Sequence, residues 1–256
     1  MNYLYDGSFE GFLTCVHEHF YSAAAGRIAR FQENGTDDTE SAFQEDMFSE
    51  VLNIKTDQQK ADKVSDAIKC KMWSRESERI YTAFRSDLPD KEMSLLRYII
   101  LGFRRGSQIR LLHTHPDVMP VEQAERKLSC EVHRLCGLIR FSAIEKNILY
   151  SKISPDNEVL EFLAPHFIER FHSDPFIIHD EDRNKALFAY DRKWHLADFT
   201  AADAEHIKIT HSEEEYRALW RRYFEIMPIK ERINPKCQRG LMPARYWKNL
   251  TEMSIT

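Results

Sequence analysis

Charged and imidazole side chains recur at short intervals through the second half of the chain. They form Glu131-x-His133-Arg134-x-x-Gly137-x-x-Arg140-Phe141, then His166-Phe167-x-x-Arg170-Phe171, then Asp180-x-x-Arg183. The pattern closes on Met242-Pro243-Ala244-Arg245-Tyr246-Trp247-Lys248-Asn249-Leu250. A guanidinium stays charged at any physiological pH, so an arginine among apolar neighbours requires a carboxylate, carbonyl or phosphate partner. Arg140 and Arg170 stand among such neighbours. Each is therefore half of a structural ion pair or part of a site for an anionic ligand, and both readings stay open.

Acid–base chemistry is the second possibility. His133 or His166 would act as general acid or base, with Asp180 as the orienting carboxylate. Glu131 flanks the apolar stripe of its helix while His133 is nearly opposite, so those two are not expected to form a pair. On a helix over 155–172, Leu163, Phe167 and Phe171 fall within about 60° of Leu160, and Arg170 at about 280° lies beside Leu163. Arg170 is thus expected to be buried against a sheet, with Asp180 or Glu131 as its carboxylate.

The terminal segment interleaves cations with large rings. Arg245 and Lys248 can take phosphates, while Tyr246 or Trp247 can stack on exposed bases, each stack contributing roughly 1–3 kcal/mol. The alternative is that Tyr246 and Trp247 anchor this segment in the core, with its basic residues solvated.

Other signatures are absent. The chain has no G-x-G-x-x-G, Walker A loop, H-E-x-x-H or G-x-S-x-G, and only eight glycines. His17-x-His19 diverges on a helix, and His113-x-His115 has no acid or cysteine cluster to complete a metal site. Cys130, His133 and Cys136 likewise diverge around a helix. Neither metal nor cofactor is expected.

The elements that must position these residues follow from periodicity and turn chemistry. Tyr3-Leu4-Tyr5 is a short strand ended by Asp6-Gly7, and Ser8 caps a helix striped by Phe9, Phe12, Leu13, Val16 and Phe20. Arg27 to Phe31 and Met47 to Lys55 read as strands, with a polar loop beginning at Asn34-Gly35. Asp57 caps a helix to about Lys71, and helices follow near 73–86 and 90–105. Val121, Ala124, Leu128, Val132 and Leu135 stripe another that Gly137 terminates. Leu138 to Ile144 and Ile148 to Ile153 form a hairpin, and Pro155 opens a helix. Short strands then cover 176–179, 186–190 and 194–199, before a helix over 213–226 and a last turn near 245–250. The class is α+β: a helix-rich N-terminal half with a small sheet, and a C-terminal half built on an antiparallel sheet covered by helices. The domains expected are 1–110 and 111–256, separated near Gly106-Ser107 and Pro116.

Composition sets the setting. The 256 residues are 43% hydrophobic and 30% charged, as in soluble globular proteins. No apolar run approaches a membrane span, no signal peptide is visible, and five scattered cysteines without a C-x-x-C pair suit reduced thiols in a cytoplasmic protein. Charge is uneven: Glu33 to Asp66 carries ten acids against three lysines, and Pro228 to Leu250 six basic residues against Glu231. A net charge of −5 argues against indiscriminate coating of nucleic acid, yet a local basic patch can still bind phosphates.

At these residues, together with Tyr5-Asp6-Gly7-Ser8-Phe9-Glu10-Gly11, the chain resembles a bacterial family of DNA metabolism or DNA repair proteins of unknown biochemical activity. Members are typically encoded beside a radical-SAM protein, and related domains occur fused to uracil-DNA-glycosylase-like domains. The resemblance implies a role in DNA repair or modification. The chain lacks the three-cysteine motif of a radical-SAM cluster, so any iron–sulfur chemistry belongs to the partner. The first reading is an accessory nucleic-acid-binding protein, with Arg140, Arg170, Arg183, Arg245 and Lys248 on phosphates and Tyr246 or Trp247 on a base. An enzyme acting on DNA through His133, His166 and Asp180 is the alternative, and a protein–protein adaptor the third.

Overall fold

A computed structural model describes residues 1–31, 50–207 and 210–253. The polar loop expected from Asn34-Gly35 and the start of the strand expected from Met47 lie outside them. The chain divides into two compact units, Met1–Lys127 and Leu128–Thr256.

The first unit opens with β1 (Asn2–Tyr5), the middle strand of a three-stranded parallel sheet. Its neighbours are β2 (Arg27–Arg30) and β3 (Val51–Asn53). Between β1 and β2 runs α1 (Phe9–Tyr21), whose first turn is capped as expected by Ser8, accepting from the Gly11 amide at 2.9 Å. Gly11 is required here: a Cβ would lie 2.3 Å from Asp6 Oδ1. That close approach lets the Asp6 carboxylate accept from the Ser8 amide and from the hydroxyls of Ser8 and Thr56. The Asp6-Gly7-Ser8 motif is therefore a strand-to-helix junction. Three helices follow, α2 (Gln58–Lys71, capped by Asp57), α3 (Ser74–Phe84) and α4 (Lys91–Arg105). Phe12, Ile68, Phe84, Leu95 and Ile99 are among the residues of the core they enclose.

Helix α5 (Met119–Leu138) contributes Val121 and Ala124 to the first core, and Leu128 and Leu135 to the second. In the second unit a five-stranded sheet has the order β4 (Ser142–Ile144), β5 (Ile148–Ile153), β6 (Phe176–Asp180), β7 (Lys185–Tyr190), β8 (Lys193–Asp198). The hairpin across Glu145–Asn147 is present. The sheet is mixed: β5 and β6 run parallel, and the other three pairings are antiparallel. The parallel pair follows from the helix between those strands, α6 (Leu160–Phe171), because a parallel connection must return to the starting edge of the sheet. Leu160, Leu163, Ala164 and Phe167 of α6 share a core with Ile153, Phe176, Ile178 and Leu187. The fold class is α+β.

Helix α6 starts at Leu160, five residues later than Pro155 suggests. The amides of Asp156 and Asn157 are bound instead by the carboxylate of Glu131, which holds Pro155–Val159 as a loop. After β8 come α7 (Ala201–Glu205), α8 (His211–Ile226) and α9 (Pro235–Leu241). A 3-10 turn over Ala244–Asn249 ends the described helical structure.

Candidate nucleic-acid interface

Three of the recurrent polar residues of the second unit, Glu131, Arg183 and Arg245, converge on the loop before α6. Glu131 is 1% exposed and accepts from the amides of Asp156 and Asn157 and from Asn157 Nδ2, at 3.0, 3.0 and 2.6 Å. It also accepts from the Tyr246 hydroxyl at 2.6 Å and from Arg245 at 3.2 Å. Arg245 makes a second ion pair with Asp156. From the other side Arg183 donates to the carbonyls of Pro155 and Asp156 and to Asp180 Oδ2. Three segments distant in sequence therefore clamp one loop. Burial raises the Tyr246 phenol to about 12, with Glu131 adding to the shift and Arg245 opposing it.

This geometry corrects several expectations. Tyr246 is 3% exposed and cannot stack on a base; it is the anchor that the sequence left as the alternative. Trp247 is half-buried, with Nε1 donating to the Met242 carbonyl, so its ring also serves to fix the turn. Arg170 is exposed, its guanidinium 5.9 Å from the Phe171 ring, and among the described residues no carboxylate pairs with it. Its position at the edge of the apolar arc, in the last turn of α6, lets the long side chain reach water. The proposed partners are engaged elsewhere, Asp180 by Arg183 and Glu131 by Arg245.

The candidate acid–base residues are not joined. His133 and His166 are exposed, and Asp180 is 1% exposed at a turn. Asp180 Oδ1 accepts from the amides of Asp182 and Arg183. Burial raises its pKa, with Arg183 opposing. No hydrogen bond or ion pair links His133, His166 and Asp180 among the described residues. His113 bonds to Glu122 at 2.9 Å, and no group of three metal-ligating side chains occurs among the described residues.

Arg140 leads to a different surface. It pairs with the buried Glu252 at 2.7 Å, and Trp220 Nε1 donates to the same carboxylate at 3.0 Å. Burial alone would raise the Glu252 pKa, but hydrogen bonds from Arg140 and Trp220 outweigh it and leave it lowered. The Arg140 guanidinium lies 5.8 Å from the Trp220 ring centroid. Beside this pair runs an open groove of about 980 Å³, walled by α8 on one side and by Phe141, Phe167 and Phe171 on the other. Tyr216, Trp220 and Tyr223 of α8 line it while 68%, 41% and 53% exposed, and Trp220 and Tyr223 are stacked. Arg140, Arg170 and Arg217 are its cations. The sequence carried the signal, aromatics at positions 216, 220 and 223 of one helix face with arginines interspersed. Such a stripe ordinarily denotes a buried face, and this one is open.

Lys248 is exposed, 3.7 Å from Glu181. All five cysteines are unpaired thiols. No helix among the described residues is long and apolar enough to cross a membrane.

Groove and clamp both fall within the part of the chain that similarity assigns to a family. Residues 89–252, over half of the chain, match a domain family of unknown function, DUF4130, and the chain belongs to that family. No curated protein matches it.

Proposed function

We propose that this protein binds single-stranded nucleic acid along the groove between α8 and α6, as an accessory component of DNA repair or modification. The observation that carries the reading is the pairing of exposed rings, Tyr216, Trp220 and Tyr223, with Arg140, Arg170 and Arg217 on one surface. Rings take unstacked bases and guanidinium groups take the backbone, which is the combination that single-strand binders use. A duplex keeps its base faces stacked and offers nothing to those rings. The radical-SAM or glycosylase-like partner is supported by the family resemblance of the sequence alone. An enzymatic reading through His133, His166 and Asp180 draws no support from their separate placements.

Anisotropy of a short labelled single-stranded oligonucleotide, titrated with the full chain at several salt concentrations, tests the proposal. Binding that weakens linearly in log–log form, by roughly 0.7 per phosphate contact, is expected. Duplex binding equal to or tighter than single-strand binding would argue against it.

A further inference from the structure

A second, polar cavity adjoins the groove. β4 pairs with β5 only as far as Ser142 opposite Tyr150, so Ser151 and Lys152 have no strand beside them on that edge among the described residues. A cavity of about 340 Å³ occupies this edge, within the size range of small-ligand sites. Ser151 and Lys152 line it from β5, Arg140 from the segment before β4, Arg217 from α8, and Lys248 and Asn249 from the terminal turn.

Two observations mark it as a site for an anion. First, Ser151 Oγ and Asn249 Nδ2 are buried without a hydrogen-bond partner among the described residues, and Arg217 Nε is buried with only a 3.5 Å ion-pair contact to Glu213 Oε1. Buried donors are rarely left unpaired, and two around one cavity point to an acceptor that belongs there. Second, four cations line the cavity and no carboxylate does. Their acidic partners are not part of the lining: Glu252 on Arg140 at 2.7 Å, Glu213 on Arg217 at 3.5 Å, and Glu181 shared by Lys152 and Lys248 at 3.1 and 3.7 Å. Four cations against three carboxylates leave a positive excess.

We propose that this cavity binds a phosphomonoester, the phosphate dianion at the end of a nucleotide or of a nucleic-acid strand. A monoester presents three free oxygens and needs one exit, whereas a diester presents two and needs two exits. The unpartnered Ser151 and Asn249 groups, together with the four lining cations, offer donors to all three oxygens of the monoester. Arg140 and Arg217 line both the cavity and the aromatic groove, so the single substituent has a path towards rings that can take its base. The phosphate site itself does not depend on the groove binding a strand.

The test uses the full chain and calorimetric titration at fixed ionic strength with four probes. These are inorganic phosphate, adenosine 5′-monophosphate, and one single-stranded oligonucleotide bearing either a 5′-phosphate or a 5′-hydroxyl. Inorganic phosphate should bind, and Asn249→Ala should weaken it about tenfold, the loss expected for a hydrogen bond to a charged group. Should that variant fold poorly, the double variant Lys152→Gln/Lys248→Gln, at two exposed positions, should give a loss at least as large. A 5′-phosphoryl strand binding tighter than the 5′-hydroxyl strand assigns the strand end. Tight adenosine monophosphate binding without that difference assigns the free nucleotide. Phosphate binding without either strand binding would retain this site and remove the groove proposal. If no phosphate-bearing probe binds the wild type more tightly than the double-lysine variant, the cavity is not a phosphate site.

Discussion

The hydroxyl of Tyr246 donates to the carboxylate of Glu131 across 2.6 Å, joining residues 115 positions apart. Together with Arg245 and Arg183 this contact fixes the loop that leads into α6. Tyr246→Phe keeps the ring and leaves the buried carboxylate one donor short. Its expected cost is about 1–3 kcal/mol in urea unfolding, with nucleic-acid affinity per folded molecule unchanged. Glu131→Ala should cost more, because it also orphans the Asp156 and Asn157 amides.

Arg170 is the converse case, an exposed cation at the groove without a carboxylate partner among the described residues. Arg170→Glu should leave the melting temperature unchanged. It should reduce single-strand affinity and lower the magnitude of the log-affinity versus log-salt slope by roughly 0.7 or more. A drop in melting temperature would place Arg170 in the fold after all.

The rings of α8 should behave differently from the arginine. Tyr216→Ala and Tyr223→Ala remove exposed side chains, so stability should hardly change. Each should weaken single-strand binding by about 1–3 kcal/mol while the salt slope stays constant, since stacking releases few counterions. Anisotropy titrations at several salt concentrations, with melting curves on the same samples, separate the two effects.

Stability should depend on pH through His179. It is buried in β6, with Nδ1 2.9 Å from the Tyr150 hydroxyl and Nε2 unpartnered. Burial lowers its pKa, with Glu181 opposing and Lys152 reinforcing. The unfolded chain therefore takes up a proton near about 6.5 that the folded chain resists. More protons bind to the unfolded state in that window, so stability is full above it and falls as pH drops towards the folded pKa. Melting temperature should decline from about pH 7 to about pH 5.5, and less steeply in His179→Gln. Equal slopes in the two proteins would exclude this residue as the cause.

Much of the scaffold was legible in the sequence because it rests on local signals. The Ser8 and Asp57 caps, the apolar stripe of α5 and the turn at Glu145–Asn147 are set by neighbours within a few residues. The structure departs from the local pattern where groups outside a segment override it. Pro155 suggests a helix start, yet Glu131 takes the next two amides. Arg170 has an inward-leaning helical angle, but its partners Asp180 and Glu131 are taken by arginines from other segments. Glu131 pairs with Arg245 114 residues away, which leaves no local trace, while Asp180 is taken by Arg183 only three residues on. The α8 stripe did not reveal that its face is open, because what covers a helix face is set by residues remote in sequence.

If nucleic acid lies along α8, photocrosslinking locates it most directly. A single-stranded oligonucleotide carrying 5-iododeoxyuridine, irradiated in complex with the full chain and mapped by mass spectrometry, should crosslink to Tyr216, Trp220 or Tyr223. Crosslinks confined to other residues, such as Trp247, would place the nucleic acid away from α8.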